Sequence, residues 1–317
     1  MKRYSIPLTL LFLLFLIFPY TMSKNENKIQ HLNPSILTQE LPQKFPRLLN
    51  TSELNQINKQ NFEESTLLQL VNSPDFNIEN LNIYAQCLNS ETPSTVEYAL
   101  QSAKYQNTKS NFYQDIYTVS NPDDILVLVN KNFALPDGYQ PDDLVLLDVP
   151  LYNPSTTNEA NYLRKEAAKA ASELFEAAKK EEGYTLIARS GFRSYESQIA
   201  IYKDYYQQGG PSWADSYSAR PNHSEHQTGL ALDVTSDTVQ LGIYPVFGAS
   251  KEAAWVDKNA HRFGFIIRYP EDYVHETGYS YEPWHLRYVG VDAATEIYET
   301  NILLEDYLLN YGLIETN

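Results

Sequence analysis

A ten-residue segment in the second half of the chain, Ser-Glu-His-Gln-Thr-Gly-Leu-Ala-Leu-Asp over 224–233, restricts the local fold most strongly. Gly229 permits a tight turn directly after the loop that holds His226. The apolar residues that follow can then run as a strand back past that loop, which brings the carboxylate of Asp233 toward the imidazole of His226. The segment therefore predicts a loop, a turn and a strand that present two candidate metal ligands.

A second motif, Glu-Pro-Trp-His over 282–285, lies further along the chain. Pro283 disfavours a helix interior, so this segment is expected to be extended or turning. A hydrolytic zinc site needs three protein ligands, an open fourth position for water and a nearby carboxylate base. His285 can supply the third ligand, and Glu282 can act on the water as a general base without binding the metal.

Spacing alone leaves the role of these residues open. A His and an Asp seven residues apart, or a Glu-x-x-His pair, occur in many proteins, and the helix-borne His-Glu-x-x-His signature is absent. The one cysteine, Cys87, excludes an intramolecular disulfide and a cysteine-rich zinc finger, so any metal must bind to His, Asp or Glu. The formal net charge of −16 and the lack of a dense Lys/Arg run argue against a nucleic-acid partner.

From Asp124 onward the hydrophobic pattern indicates short strands mixed with helices. Because the strands and helices do not alternate regularly, the pattern favours an α+β fold with a small mixed sheet and surrounding helices. Strands are predicted at 125–129, 144–149, 184–188, 230–234 and 265–269. Helices are predicted within 158–180 and at 195–207, 251–263, 291–299 and 302–310, with an ordered loop at 211–228.

The N-terminus predicts export. Lys2 and Arg3 precede an uncharged stretch up to Ser23 with an apolar centre, which is typical of a secretory signal. No Ala-x-Ala cleavage site follows, so residues 1–23 are expected to be either a signal peptide or an uncleaved anchor in the cytoplasmic membrane. Residues 24–60 are expected to form a spacer, 61–120 a small helical region with short helices near 67–71 and 96–104, and 121–313 the catalytic domain, which would act outside the cytoplasm.

Arg193 lies in a loop between a predicted strand and a predicted helix, a position typical of binding groups. Its planar guanidinium suits a carboxylate, such as the one at the C-terminus of a peptide. A surface salt bridge is the alternative explanation from position alone.

The two motifs together resemble the signature of VanY-type D-alanyl-D-alanine carboxypeptidases, which belong to the LAS group of zinc peptidases with lysostaphin-type enzymes and sonic hedgehog. The resemblance covers about 124–311. It extends, in the order of the family, to Leu-Val-Leu-Val-Asn-Lys over 126–131, Ser-Gly-Phe-Arg-Ser over 190–194, Tyr-Ser-Ala-Arg-Pro over 217–221, Phe-Gly-Phe over 263–265 and Tyr-Glu-Pro-Trp-His over 281–285. It implies the LAS, or hedgehog-like, zinc peptidase fold.

The resemblance also implies a role for each site residue. The implied zinc ligands are His226, Asp233 and His285, with Glu282 as the catalytic base. The implied substrate-facing residues are Arg193 and Gln198 beside the peptide, Ser224 at the terminal D-residue and Trp284 as a pocket wall, and Arg193 is expected to assist catalysis at the carbonyl. Asn222 stands where the family often has glycine, but Asn tolerates the left-handed conformation that a glycine would supply. His223 is expected to pack the loop or bind a carbonyl rather than a metal.

The implied activity is zinc-dependent removal of the terminal D-alanine from peptidoglycan stem peptides. Two alternatives remain at this point. Relatives with the same motifs act as L,D-carboxypeptidases on tetrapeptide stems, and the resemblance to sonic hedgehog allows a zinc-stabilised wall-binding module without catalysis. Glu282 argues against the second alternative, because a purely structural zinc site needs no base.

Overall fold

The computed structural model describes residues 56–57, 59–60, 62–89, 95–108, 111–243 and 246–314. The predicted signal or anchor segment at 1–23, and the predicted spacer up to residue 55, lie outside the described residues. Within the described part of the chain, no helix is both long and apolar enough to cross a membrane. The chain forms two compact units, Met1–Ala103 and Lys104–Asn317.

The described part of the first unit is helical. It contains α1 (Glu64–Asn72), α2 (Leu81–Leu88) and the beginning of α3 (Val96–Thr108), in which the division between the units falls. These elements confirm the short helices predicted near 67–71 and from Val96. Their apolar faces meet in a small core of buried side chains, which includes Phe62, Leu67, Leu70, Tyr84 and Leu100.

The described residues of the second unit form eight short strands in three sheets. Strand β1 (Tyr117–Thr118) pairs in parallel with β2 (Phe133–Ala134), and β3 (Leu144–Leu146) pairs antiparallel with β4 (Tyr162–Arg164). The main sheet is antiparallel throughout and has the order β5-β6-β8-β7, formed by β5 (Leu186–Ser190), β6 (Ala231–Ser236), β7 (Phe265–Ile267) and β8 (His285–Tyr288). Strands β6 and β8 lie at its centre, and this position sets the geometry of the site.

Helices surround the sheet, and the predicted α+β class is confirmed. Helix α4 (Lys165–Glu182) buries an alanine-rich face that includes Ala167, Ala171 and Leu174, and it ends at the predicted Gly183. The remaining helices are α5 (Tyr195–Tyr217), α6 (Lys251–Asn259), α7 (Val274–Thr277), α8 (Val291–Thr300) and α9 (Leu304–Asn310).

Three predicted elements differ from the structure. The helix predicted within 158–180 begins only at Lys165, because residues 162–164 pair with β3 as strand β4. Residues 125–129 form no strand, because the guanidinium of Arg287 binds the carbonyl oxygens of Ile125 and Val127 at 2.9 and 2.7 Å and so removes acceptors that a sheet partner would use. Residues 211–217, predicted as loop, continue α5 beyond a kink at Gly210, where φ is 79°. Gly210 does end the first arm, but Pro211 is favourable at the first position of a new helical arm.

Candidate metal centre

The loop that carries His226 is a 3₁₀ turn over Glu225–Thr228, which ends at Gly229. Gly229 has the left-handed φ of 68°, and a Cβ there would press on the side chains of Leu144 and Arg164. Strand β6 begins two residues later, so the turn and returning strand predicted for this segment are present. Asn222, which stands where the family often has glycine, likewise has a positive φ of 67°. This is the left-handed conformation that Asn tolerates.

Sheet register brings the other two candidate ligands together. In the antiparallel pair of β6 and β8, Asp233 lies directly opposite His285. Residues opposite each other on neighbouring strands project to the same face of the sheet, so the carboxylate and the imidazole meet there. The pairing therefore joins two motifs that are 52 residues apart in sequence.

His226, Asp233 and His285 form a tight, buried cluster, in which one ligand atom from each residue lies within 4.8 Å of the others. The Nδ1 atom of His285 lies 3.1 Å from Oδ1 of Asp233, and the Nε2 atom of His226 lies 3.4 Å from Oδ2. The two imidazole rings are nearly perpendicular, at 88°. The predicted triad is thus brought together by the fold.

The outward-facing nitrogen of each imidazole has its own hydrogen-bond partner. Nδ1 of His226 lies 2.7 Å from the carbonyl oxygen of Gly191, which can only accept, so Nδ1 carries the proton and Nε2 keeps its lone pair. Nε2 of His285 lies 3.2 Å from Oε2 of Glu225. Each histidine therefore turns its other nitrogen toward Asp233.

Glu225 is a residue that the sequence analysis missed. Its side chain is fully buried behind His285, where it pairs with Arg268 and Arg287. Burial alone would raise the pKa of the Glu225 carboxyl, but the two guanidinium groups outweigh burial and hold that pKa well below its usual range. The only signal in the sequence is its place beside His226 in the motif, since its arginine partners lie 43 and 62 residues away.

This set of donors fits a zinc ion. Two imidazole nitrogens and one carboxylate oxygen, with a position left open, are the ligands of catalytic zinc sites. Around a tetrahedral zinc ion with bonds of about 2.0–2.1 Å, neighbouring donor atoms lie about 3.3 Å apart. The two imidazole nitrogens approach different oxygens of Asp233, at 3.1 and 3.4 Å, and one ligand atom from each of the three residues lies within 4.8 Å of the others, so a single ion can contact all three residues.

Glu282 lies beside the triad without belonging to it. Its backbone N–H donates to the carbonyl oxygen of Tyr269, and its own carbonyl accepts from the N–H of His285, so a turn fixes it just before β8. Its Oε2 atom lies 3.9 Å from Nδ1 of His285. Burial raises the pKa of the Glu282 carboxyl to about 7. A carboxyl of this kind can accept and release a proton near neutral pH.

The triad opens into a cavity of about 580 Å³. Predicted site residues make up part of its wall, and aromatic side chains make up much of the rest. The lining includes Arg193, Ser224, Glu282 and Trp284 from the predicted set, and Tyr205, Tyr217, Tyr269, Tyr279 and Tyr281 among the aromatic residues.

Gln198 is the one predicted site residue outside the cavity lining, and its predicted substrate contact stays a prediction. Its side chain is fully buried, and its Oε1 atom accepts a hydrogen bond of 3.0 Å from Nη1 of Arg193. Its amide nitrogen donates to Oγ of Ser218 at 3.0 Å and to the carbonyl oxygen of Ala219 at 2.6 Å. The hydrogen bond with Gln198 thus fixes the guanidinium of Arg193 on the side away from the cavity.

Nδ1 of His223 lies 2.8 Å from the carbonyl oxygen of Asn130, as expected for a residue that packs the loop.

The chain is similar in sequence to known carboxypeptidases. Residues 160–291 match the VanY family model, which describes D-alanyl-D-alanine carboxypeptidases. The chain is 44% identical over 211 residues to the putative carboxypeptidase YodJ of Bacillus subtilis, an alignment that covers 67% of this chain and 76% of the relative.

Solved structures are similar to part of the chain as well. The structure of the LdcB LD-carboxypeptidase has 46% sequence identity and a TM-score of 0.59, and the match covers 61% of this chain and 89% of that one. The vancomycin resistance D,D-pentapeptidase VanY, solved in complex with Zn(II), has 35% identity and a TM-score of 0.47 over 58% of this chain and 98% of its own. The likeness to LdcB confirms the predicted fold.

Proposed function

The chain belongs to the VanY family of D-alanyl-D-alanine carboxypeptidases, and on that premise we propose that it removes the terminal D-alanine from peptidoglycan stem peptides. The observation that carries this proposal is the convergence of His226, Asp233 and His285 on one point beside a cavity, with Glu282 on the cavity wall. The protein is a zinc metallocarboxypeptidase, and its substrate belongs to the cell wall outside the cytoplasm.

We propose that zinc is held by Nε2 of His226, the carboxylate of Asp233 and Nδ1 of His285. These atoms are favoured because the other nitrogen of each imidazole is engaged by Gly191 or Glu225. When bound, zinc acts as a Lewis acid toward the scissile carbonyl and lowers the pKa of water.

Glu282 is the proposed proton carrier. Its carboxylate takes a proton from the attacking water and then gives a proton to the amine nitrogen of the departing D-alanine. Its place on the cavity wall, within 3.9 Å of Nδ1 of His285, supports this role because a water beside the triad lies within its reach. The turn over 282–285 keeps the carboxylate close to the ligands without making it one of them.

Arg193 is the proposed partner of the substrate's negative charge. Its guanidinium is held by Oε1 of Gln198 at 3.0 Å and Oγ of Ser190 at 3.3 Å, and it lies on the cavity wall. A donor fork fixed in this way suits the terminal carboxylate, or the oxygen of the scissile carbonyl as charge develops on it. Ser224 and Trp284 are proposed to hold the terminal D-residue against the same wall.

A second candidate is L,D-carboxypeptidase activity on tetrapeptide stems. The observation that favours it is the likeness to the LdcB LD-carboxypeptidase, at 46% identity and a TM-score of 0.59. Both reactions hydrolyse the bond before a terminal D-alanine, so the same triad, base and arginine serve either one. They differ in the configuration of the preceding residue, which the cavity wall must distinguish.

Purified, zinc-loaded protein should be incubated with a pentapeptide stem ending in D-Ala-D-Ala and with the matching tetrapeptide. We expect release of one D-alanine from the pentapeptide, with the tetrapeptide accumulating, as measured by D-alanine quantification and mass spectrometry. Trimming of the tetrapeptide alone would favour the second candidate. A protein that binds zinc but releases D-alanine from neither peptide would be a non-catalytic wall-binding module.

We also propose that residues 1–23 export the protein, either as a cleaved signal or as an anchor in the cytoplasmic membrane. The basic start and the apolar stretch behind it support this proposal. Cell fractionation after expression of the full chain should place the protein in the membrane fraction or outside the cell. Recovery from the cytosol alone would contradict it, and the mass of the mature protein separates cleavage from anchoring.

A further inference from the structure

Four charged side chains lie behind the candidate metal centre with almost no exposure to solvent. This buried charge cluster consists of Glu225, Arg268, Arg287 and Glu305, whose side chains are 0%, 0%, 0% and 5% exposed. Removing ions from water is costly, so a cluster of this kind persists only where its hydrogen bonds are nearly complete. The catalytic role proposed for the triad and Glu282 makes no use of it.

The hydrogen bonds of the cluster fix one oxygen of Glu225 very firmly. Oε1 accepts from Nε of Arg268 and from Nη1 of Arg287, both at 2.8 Å. Arg268 is held in turn by a bidentate pair with Glu305 at 2.6 and 2.9 Å. The Nη2 group of Arg287 donates to two backbone carbonyls. These contacts restrain both guanidinium groups, and the two guanidinium groups in turn restrain Oε1 of Glu225.

The other oxygen of Glu225 faces the centre. Oε2 lies 3.2 Å from Nε2 of His285, while Nδ1 of the same ring lies 3.1 Å from Oδ1 of Asp233. An ionised carboxylate can only accept, so it requires a proton on Nε2 of His285. Nδ1 also faces a carboxylate, that of Asp233, so it gives up its proton only when an ion binds there; the ring is then neutral, with its proton on Nε2 and its lone pair on Nδ1.

We propose that Glu225 is a positioning residue for the metal centre, which holds the ring of His285 with Nε2–H toward Glu225 and Nδ1 toward the ion. This inference rests on the proposed zinc site. Arg268 and Arg287 contribute by holding Oε1, so that Glu225 cannot swing around His285 and become a fourth protein ligand. The position that substrate and water need therefore stays open. Glu305, at the start of α9, supports the arrangement from one layer further out.

The substitution Glu225→Gln tests the idea because an amide reverses one of the three hydrogen bonds that the Glu225 carboxylate makes. The arginines accept nothing, so the amide oxygen must face them and the NH₂ group must face Nε2 of His285. Nε2 would then have to accept, which conflicts with the Nε2–H tautomer that leaves Nδ1 free for the metal. Loss of such an outer partner typically weakens metal affinity about 10–100-fold.

Zinc affinity of the full-length chain should be measured by competition with a chelator, and folding of the metal-free protein by circular dichroism. We expect Glu225→Gln to bind zinc at least about tenfold more weakly than wild type. Glu252→Gln is the matched control, because Glu252 is also buried and accepts a hydrogen bond from Thr238, outside the cluster. It should keep wild-type affinity. A folded Glu225→Gln protein with wild-type affinity would overturn the proposal.

A measurement on the wild type keeps the proposal testable even if the variant does not fold. Nitrogen-15 NMR of the zinc-loaded protein should show a protected proton on Nε2 of His285 and metal coordination through Nδ1. A proton on Nδ1, or coordination through Nε2, would overturn the positioning role. Neither readout needs hydrolysis, so a protein with this tautomer and no D-alanine release would contradict the proposed function and leave the inference standing.

Discussion

Asp233 and Glu282 both lie at the candidate centre, and their surroundings shift the pKa values of the two carboxyl groups in opposite directions. Burial raises the pKa of both groups, but the imidazoles of His226 and His285 outweigh burial for Asp233 and hold its pKa well below the usual range. For Glu282 burial dominates, and the pKa rises to about 7. Asp233 is thus kept anionic, as a metal ligand must be, while Glu282 can exchange a proton near neutral pH.

The substitution Glu282→Gln should separate proton transfer from metal binding. Gln has nearly the same shape but cannot take a proton, so hydrolysis of the pentapeptide stem should fall by about 10²–10⁴. Zinc content and thermal stability should stay near wild type because no proposed ligand is lost. Asp233→Asn provides the contrast and should weaken both zinc binding and activity. A Glu282→Gln enzyme with the wild-type rate would contradict the proposed mechanism.

The triad itself can be tested through metal content. His226→Ala and His285→Ala should each lose most of the bound zinc, since two protein ligands rarely retain the ion. His223→Ala is a matched control, because His223 is buried in the same loop but bonds a backbone carbonyl. Elemental analysis after dialysis should show about one zinc per chain in the wild type and in the control. Full retention of zinc in both triad variants would contradict the site.

The triad could be predicted from the sequence because two short motifs contain its residues and the family resemblance implies their roles. A loop, a turn at Gly229 and a returning strand follow from neighbouring residues, and a short motif carries His285 next to its base. Glu225 could not be reached in this way. Its role depends on Arg268 and Arg287, two residues that no periodicity links to it, and only the folded sheet brings all three together.

At the scale of elements, the kink in α5 shapes one wall of the cavity. The ring of Trp213 packs directly over Gly209, where a Cβ would clash with it, and the chain turns at Gly210. The second arm then brings Tyr217 back beside Tyr205, with ring planes 12° apart. The two glycines correctly predicted the end of the first arm. The second arm escaped prediction because its stability depends on packing between aromatic rings distant in sequence.

Tyr217 is expected to contact the part of the stem peptide that precedes the scissile bond. It lines the cavity and is half exposed at 50%. Loss of an aromatic contact of about 0.5–1.5 kcal/mol corresponds to a two- to tenfold loss in affinity. Tyr217→Ala should therefore raise KM for the pentapeptide stem about two- to tenfold and change kcat little.

Tyr206 provides a matched control for that experiment. It lies on the same helix with the same 50% exposure but is not among the residues that line the cavity. Tyr206→Ala should leave KM unchanged. Equal effects of the two substitutions, or a fall in kcat without a change in KM, would contradict a substrate contact at Tyr217.

At the scale of the whole molecule, contacts made by residues before 121 bear on where the catalytic domain begins. Sequence analysis predicts that it begins at residue 121, whereas contacts divide the chain between Ala103 and Lys104. Strand β1 pairs with β2, and Asn132 donates to the carbonyl oxygens of Asn111 and Asp115. The predicted start followed the hydrophobic pattern and the family resemblance, which both begin near Asp124 and do not reveal these links. We therefore propose that the catalytic domain includes residues 111–120.

Two shortened chains test this boundary. A chain of residues 109–317 keeps Tyr113, whose ring stacks on the guanidinium of Arg220 at 4.0 Å and meets the edge of His223. We expect it to fold, bind zinc and hydrolyse the pentapeptide stem at a rate close to that of the full chain.

A chain of residues 121–317 loses the ring of Tyr113 and strand β1. It should therefore melt at a lower temperature and lose activity, because the loop before His226 is held less firmly. Equal melting temperatures and rates for the two shortened chains would restore the boundary at residue 121. Failure of the 109–317 chain to fold would show instead that the catalytic domain depends on residues 1–108.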